Sequence, residues 1–203
     1  MFPQRKEKTM AANLQDDDPH GLAMSTEDFE RLVNAEDIPR YELIDGVAYN
    51  MTGSTEEHGY IVGGIFSSIY THLGRKGKCR AYQDQYVKIP NKPSSVPDVV
   101  VTCNDADWDK DKKLRPFRIQ HPRIIVEVLS PSTEKFDRKE KFSRYKCCPS
   151  LEVYILVSQD EMHVEVYRKS MGWKRESFGE GQIITLDQIG LDLSVDEIYE
   201  GVF

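Results

Sequence analysis

One carboxylate interrupts an otherwise apolar run in this chain: Glu127, inside Arg123-Ile124-Ile125-Val126-Glu127-Val128-Leu129. Burying a charge in such a strand is costly unless a cation or hydrogen-bond donors meet it. A structural ion pair would satisfy that requirement, and so would a hard metal ion, because a carboxylate fixed mid-sheet holds a divalent cation firmly. Asp98 is the natural companion, standing behind Pro97 at the head of Val99-Val100-Val101-Thr102. Two carboxylates on adjacent strands would converge on one magnesium (or manganese) ion. Glu42, with apolar neighbours in Tyr41-Glu42-Leu43-Ile44, either reaches the same point from the side or stands as an edge carboxylate in water. His58 would orient water or contact phosphate, against the ordinary role of a lone helical histidine as a structural or surface residue.

These residues need elements to position them. The pattern predicts a helix over about 26–36, capped by Ser25 or Thr26 and ending before Pro39, with Phe29, Leu32 and Val33 on one face. Tyr41–Ile44 and Val47–Met51 flank Asp45-Gly46, the linker of a type I′ hairpin. Ile61, Ile65, Phe66, Ile69 and Leu73 recur at helical spacing, so 55–73 reads as a long amphipathic helix stopped by Gly74 and Gly77. Residues 79–89 and 97–103 read as strands, and 104–120 as a charged loop or flap. The run 123–129 is apolar on both alternating faces, the mark of a central strand covered on each side. A helix over about 137–147 follows, with Asp137 and Glu140 in capping-box spacing and Phe142 and Tyr145 inward. A meander over 153–157, 164–168 and 173–178 and a short helix capped by Ser194 complete an α/β architecture, a central mixed β-sheet flanked by helices.

At 203 residues, 24–203 is expected to form a single domain. Residues 1–23 read as a disordered leader, either a native extension or an added tail. No apolar run approaches the length of a membrane span, and no secretory signal is visible, so a cytoplasmic protein is expected. Cys79, Cys103, Cys147 and Cys148 form no C-x-x-C pair and have no histidine at ligand spacing, which predicts reduced thiols rather than a zinc cluster or disulfides. The net charge of −7 argues against indiscriminate coating of nucleic acid. Charge is segregated, however: residues 110–146 carry twelve Lys/Arg against five Asp/Glu. That stretch is either a solvated face or a phosphate-contacting surface.

Six segments also carry a resemblance: Tyr41-Glu42-Leu43-Ile44-Asp45-Gly46, Ser54-x-x-x-His58, Pro97-Asp98-Val99-Val100-Val101, Val126-Glu127-Val128-Leu129-Ser130-Pro131-Ser132-Thr133, Asp137-Arg138-x-x-Lys141-x-x-x-Tyr145 and Val164-Glu165-Val166-Tyr167-Arg168. In this order, over about residues 25–203, the chain resembles the Uma-type family of restriction endonuclease-like proteins. The resemblance implies the PD-(D/E)xK nuclease fold, in which an aspartate and a glutamate on neighbouring strands hold the metal and a lysine activates water. The chain departs from that pattern where the strand lysine of E-x-K would stand, because Leu129 occupies the position. The resemblance places the lysine at Lys141 on the following helix, with Lys139 as the fallback, and moves His58 toward function.

The expected activity is magnesium-dependent hydrolysis of DNA phosphodiester bonds by Asp98, Glu127 and Lys141, with Glu42 and His58 assisting. Lys139, Arg138 and Arg144 are the expected nucleic-acid contacts, and cutting two strands suggests a homodimer. The rival is a non-catalytic DNA-binding or assembly module that keeps the nuclease fold. A third reading is an unrelated structural protein in which Glu127 forms a buried ion pair.

Overall fold

Strand β6 (Pro122–Val128) buries every residue except Arg123, and such a strand must be covered on both faces. A computed structural model of the protein describes residues 21–34, 40–51, 53–74, 77–108 and 117–203. In it β6 lies third in a six-stranded sheet, between β5 (Val99–Thr102) and β7 (Val153–Val157). β4 (Arg80–Gln83) forms the edge beyond β5, while β8 (Val164–Arg168) and β9 (Arg175–Phe178) extend the sheet beyond β7. β6 and β7 are parallel and the other neighbours antiparallel, so the sheet is mixed as expected.

The two-residue period of a strand sends alternate side chains of β6 to different cores. Ile124, Val126 and Val128 pack with Ile61, Ile65 and Ile69 of the long helix α2 (Glu56–Leu73). Ile125 and Leu129 pack with Phe142, Tyr145 and Tyr154 under the helical crossover to β7. Helix α2 starts as its sequence dictates. Thr55 caps it by accepting from the His58 N–H at 3.2 Å, and Gly74 stops it at φ 62°.

Helix α1 (Thr26–Leu32) is capped by Ser25, which accepts from the Asp28 N–H at 3.1 Å. It is shorter than the periodicity predicts, and part of the expected extension, 35–36, lies outside the described residues. Strands β2 (Tyr41–Ile44) and β3 (Val47–Asn50) form the expected hairpin; Asp45 at φ 50° and Gly46 at φ 79° supply the two positive dihedrals of a type I′ turn. The expected leader ran through Ala23, but β1 (Leu22–Ala23) pairs with β3, Leu22 opposite Ala48, because β3 has an edge free for it. Residues 1–20 lie outside the described residues.

Several other expectations need correction. The strand predicted over 79–89 keeps a regular ladder only through Gln83, since Asp84 turns to φ 51°; Val87 then forms isolated bridges to Ser95 and Ile119. The crossover helix begins earlier than Asp137, as α3 (Glu134–Phe136), runs through a π-turn at Asp137–Lys141, and ends as α4 (Phe142–Tyr145). Asp137 is therefore mid-helix and buried, not a cap. Ser194 precedes α5 (Val195–Ile198) but makes no side-chain capping bond; Asp196 instead accepts from the Gly181 N–H at 2.7 Å. Strands β10 (Ile183–Leu186) and β11 (Leu191–Ser194) form a hairpin absent from the sequence reading, and it helps close the α2 core.

Cysteines 79 and 103 form a disulfide, contrary to the expectation of reduced thiols throughout. The reason is register: Arg80 pairs with Thr102, so the next residues outward face one another across β4 and β5. Cys147 and Cys148 are free. Among the described residues no helix is long and apolar enough to cross a membrane.

Candidate active site

The π-turn brings Lys141 under the sheet. Its Nζ lies 2.9 Å from Glu127 Oε1, 3.3 Å from Glu42 Oε1 and 3.6 Å from Asp137 Oδ1, and it donates to the Val96 carbonyl at 3.1 Å. All four charged side chains are buried. π-turns widen a helix locally and recur at functional sites. Here the Tyr154 hydroxyl secures the turn by donating to the Asp137 carbonyl at 3.0 Å.

Asp98 joins this centre through the sheet. Val99 pairs with Val126, so one further step of the same antiparallel register sets Asp98 opposite Glu127 on the same face. Asp98 Oδ2 accepts from the Val128 N–H at 2.7 Å and lies 3.5 Å from His58 Nε2, at the start of α2. Glu42 Oε1 accepts from the Val96 N–H at 2.7 Å, which pins the segment leading into Pro97-Asp98. The five residues singled out for catalysis are thus adjacent, and Glu42 is a buried member of the cluster rather than an edge carboxylate in water.

The electrostatics are those of a site short of positive charge. Burial drives Glu127 well above the usual carboxylate range against the pull of Lys141, and Glu42 and Asp137 rise for the same reason. Burial pulls Lys141 down, but Glu127, Glu42 and Asp137 outweigh it, so the ammonium is held well above its ordinary value. Burial likewise lowers His58, and the hydrogen bond and charge of Asp98 more than reverse that. Glu42 Oε2 is buried with no hydrogen-bond partner. Three carboxylates around one ammonium call for protons or a further cation.

The basic stretch behaves differently from its charge count. Arg138 is held between Glu134 Oε1 at 2.7 Å and Glu165 Oε2 at 2.8 Å, while buried Arg144 pairs with Glu140 and lies 5.0 Å over the Phe136 ring. Arg118 pairs with Glu30 at 2.6 Å and Arg123 with Glu152 at 2.9 Å. Of the three expected nucleic-acid contacts, Lys139 alone is exposed. Lys141, not Lys139, is the lysine buried beside Glu127. Much of the positive charge is therefore spent inside the fold. Residues 110–116 of this stretch lie outside the described residues.

Comparison with known proteins fixes the family. The model of the Uma2 family, described as "Putative restriction endonuclease", matches residues 26–196. The chain belongs to the Uma2 family. It is 35% identical over 167 residues to the uncharacterized protein slr1290 of Synechocystis sp. (strain ATCC 27184 / PCC 6803 / Kazusa), covering 80% of this chain and 85% of that one. A second protein of the same strain, sll1609, also uncharacterized, is 26% identical over 129 residues, 63% of this chain and 71% of its own. The crystal structure of "a putative nuclease belonging to DUF820" from Anabaena variabilis ATCC 29413 superposes with a TM-score of 0.68 at 21% identity, covering 89% of this chain and 99% of that one. That likeness shows a shared fold, a central mixed sheet flanked by helices.

Sequence reasoning missed Asp137 as a member of the cluster. Its four-residue spacing from Lys141 was the available signal, since side chains at i and i+4 meet on one helical face. It also passed over Arg40 and Asp84, whose carboxylate–guanidinium pair lies beside Asp98.

Proposed function

We propose that this Uma2 chain is a metal-dependent DNA endonuclease in which Asp98 and Glu127 hold magnesium or manganese and Lys141 acts on the attacking water. The observation that carries the reading is Lys141 Nζ at 2.9 Å from Glu127 Oε1, beside Asp98. The helix thereby supplies the ammonium that the strand lacks at Leu129.

The donor set fits a hard divalent ion. Among the described residues no group of three or more His, Cys, Asp or Glu side chains is placed to hold a metal ion. Magnesium needs none, because it keeps several waters and is commonly bound through one or two carboxylates together with substrate phosphate. The surplus of buried carboxylate charge is what such an ion would neutralise. When bound, the ion would lower the pKa of a water and offset charge developing on phosphorus.

The chain's own residues have distinct tasks in this reading. The Val128 N–H fixes Asp98, and Lys141 and the sheet fix Glu127. Lys141 stays an ammonium, so it donates to the nucleophile or to the phosphoryl oxygen and does not accept a proton. His58, raised by Asp98, donates from Nε2 on the side of α2. The substrate is DNA, the setting cytoplasmic, and cutting two strands calls for two such centres in a two-fold dimer.

A plasmid-cleavage assay tests the reading. The wild type is expected to nick or linearise DNA with magnesium or manganese and not with EDTA. Asp98→Asn and Glu127→Gln, which keep shape and hydrogen-bonding capacity, are expected to lose cleavage while unfolding cooperatively like the wild type. Undiminished cleavage by either variant overturns the assignment. The near-complete burial of Lys141 and Glu127 favours a second reading, a non-catalytic DNA-binding module with a structural ion cluster. It predicts salt-dependent DNA binding and no cleavage with any divalent ion.

A further inference from the structure

Solvent access to the acidic cluster is graded. The Lys141, Glu127 and Glu42 side chains keep 5%, 3% and 1% of their surface, whereas Asp98 keeps 19% and His58 17%. Beyond them stand Arg40 at 44% and Asp84 at 46%. The gradient marks the direction from which a substrate would reach Asp98.

Asp84 ties this outer pair to the centre. Its N–H donates to the Asp98 carbonyl at 3.3 Å, and its carboxylate pairs with the Arg40 guanidinium. Its φ of 51° lies in the left-handed region, uncommon outside glycine and enriched in functional loops. The bend ends β4 and leaves Asp84 at the rim. Arg40 is anchored too, because its carbonyl accepts the Met51 N–H at 2.8 Å as a continuation of the β2–β3 ladder.

The geometry points to Arg40, held by Asp84, together with His58 as a phosphate-binding rim that takes a non-bridging phosphate oxygen of a DNA strand entering the site. This inference rests on the nuclease reading above. A guanidinium offers a planar fork matched to phosphate, and an ion pair this exposed is weak enough to exchange its carboxylate for phosphate oxygens. Arg138 and Arg144 differ: each is more buried than Arg40, and Arg138 is braced by two carboxylates. Burial raises Asp84, Arg40 lowers it, Asp98 raises it and His58 lowers it, so the four groups share one electrostatic neighbourhood.

The test is fluorescence anisotropy of a labelled DNA duplex in EDTA, with sodium chloride varied. Arg40→Gln is expected to weaken binding by about tenfold and to reduce the slope of log affinity against log salt by about 0.9, the loss of one phosphate contact. Arg40→Lys should keep most of the slope and lose part of the affinity, while Arg123→Gln, a partly exposed paired arginine at the start of β6, should change neither. A slope for Arg40→Gln equal to wild type, or a wild type that binds no duplex, overturns the inference. Because no metal is present, this outcome is independent of cleavage. A wild type that binds through Arg40 without cutting would instead sink the nuclease reading alone.

Discussion

Lys141 Nζ and Glu127 Oε1 meet at 2.9 Å although one belongs to the crossover helix and the other to the central strand. At Leu129, two positions along from Glu127 on the same face, the strand contributes packing against Phe142 and Tyr145. Charge and packing have thus been divided between two elements. The ammonium that meets Glu127 comes from the helix, and Leu129 closes the core.

That division sets the stability of the cluster. Lys141→Met removes the cation and leaves Glu127, Glu42 and Asp137 buried together, so a loss of about 3–5 kcal/mol is expected by urea unfolding in EDTA. Millimolar manganese should return part of it. Glu42→Gln acts in the opposite sense: it removes one surplus negative charge, and the amide oxygen can still accept from the Val96 N–H. Its stability is expected within about 1 kcal/mol of wild type or above it. A Lys141→Met variant as stable as wild type would show that the carboxylates are already neutral without Lys141.

The sequence made some of this legible and concealed the rest for definite reasons. Glu127 stood out because an acid in an apolar strand has few explanations, and Asp98 because a Pro-Asp step opens a β-branched run. The hairpin was readable from Asp45-Gly46, whose turn geometry is local. Lys141 was reached through family resemblance, since nothing local distinguishes it from Lys139; only the phase of the helix against the sheet separates them. Asp137 was misread because an acid ahead of a helix resembles a cap, and Thr133-Glu134 in fact start the helix earlier. Arg138 and Arg144 looked like free positive charge because a count cannot reveal partners such as Glu165, far away in the chain.

The Arg138–Glu165 pair carries its own consequence. Glu165 sits opposite Leu156, which in turn sits opposite Glu127, so β6 and β8 each present a glutamate to the same helix, one to Lys141 and one to Arg138. Burial would raise Glu165, but hydrogen bonds from the Tyr167 hydroxyl at 2.6 Å and from Arg138 outweigh it, and its carboxyl lies below the ordinary value. A depressed carboxyl stabilises the fold above its unfolded-state value, and that contribution disappears as pH falls through the folded-state value. Glu165→Gln should therefore cost about 1.5–3 kcal/mol at neutral pH, and the gap from wild type should close in acid. Chemical unfolding at a series of pH values checks this, and a gap that widens toward low pH would refute the assigned sign.

Register also explains the cysteines, and the pairing makes a prediction about covalent state. Cys79 and Cys103 were read as reduced because neither belongs to a local motif; they are 24 residues apart and meet only because β4 and β5 pair antiparallel. Loop-closure entropy for a cross-link of that span corresponds to about 3 kcal/mol of stabilisation. Oxidised protein should resist alkylation at these two positions under denaturing, non-reducing conditions, while Cys147 and Cys148 are labelled. Reductant should lower the unfolding midpoint of the wild type and leave Cys79→Ala/Cys103→Ala unmoved. Four labelled thiols in unreduced protein would show that the bond does not form, and the two strands would then be held by their backbone ladder alone.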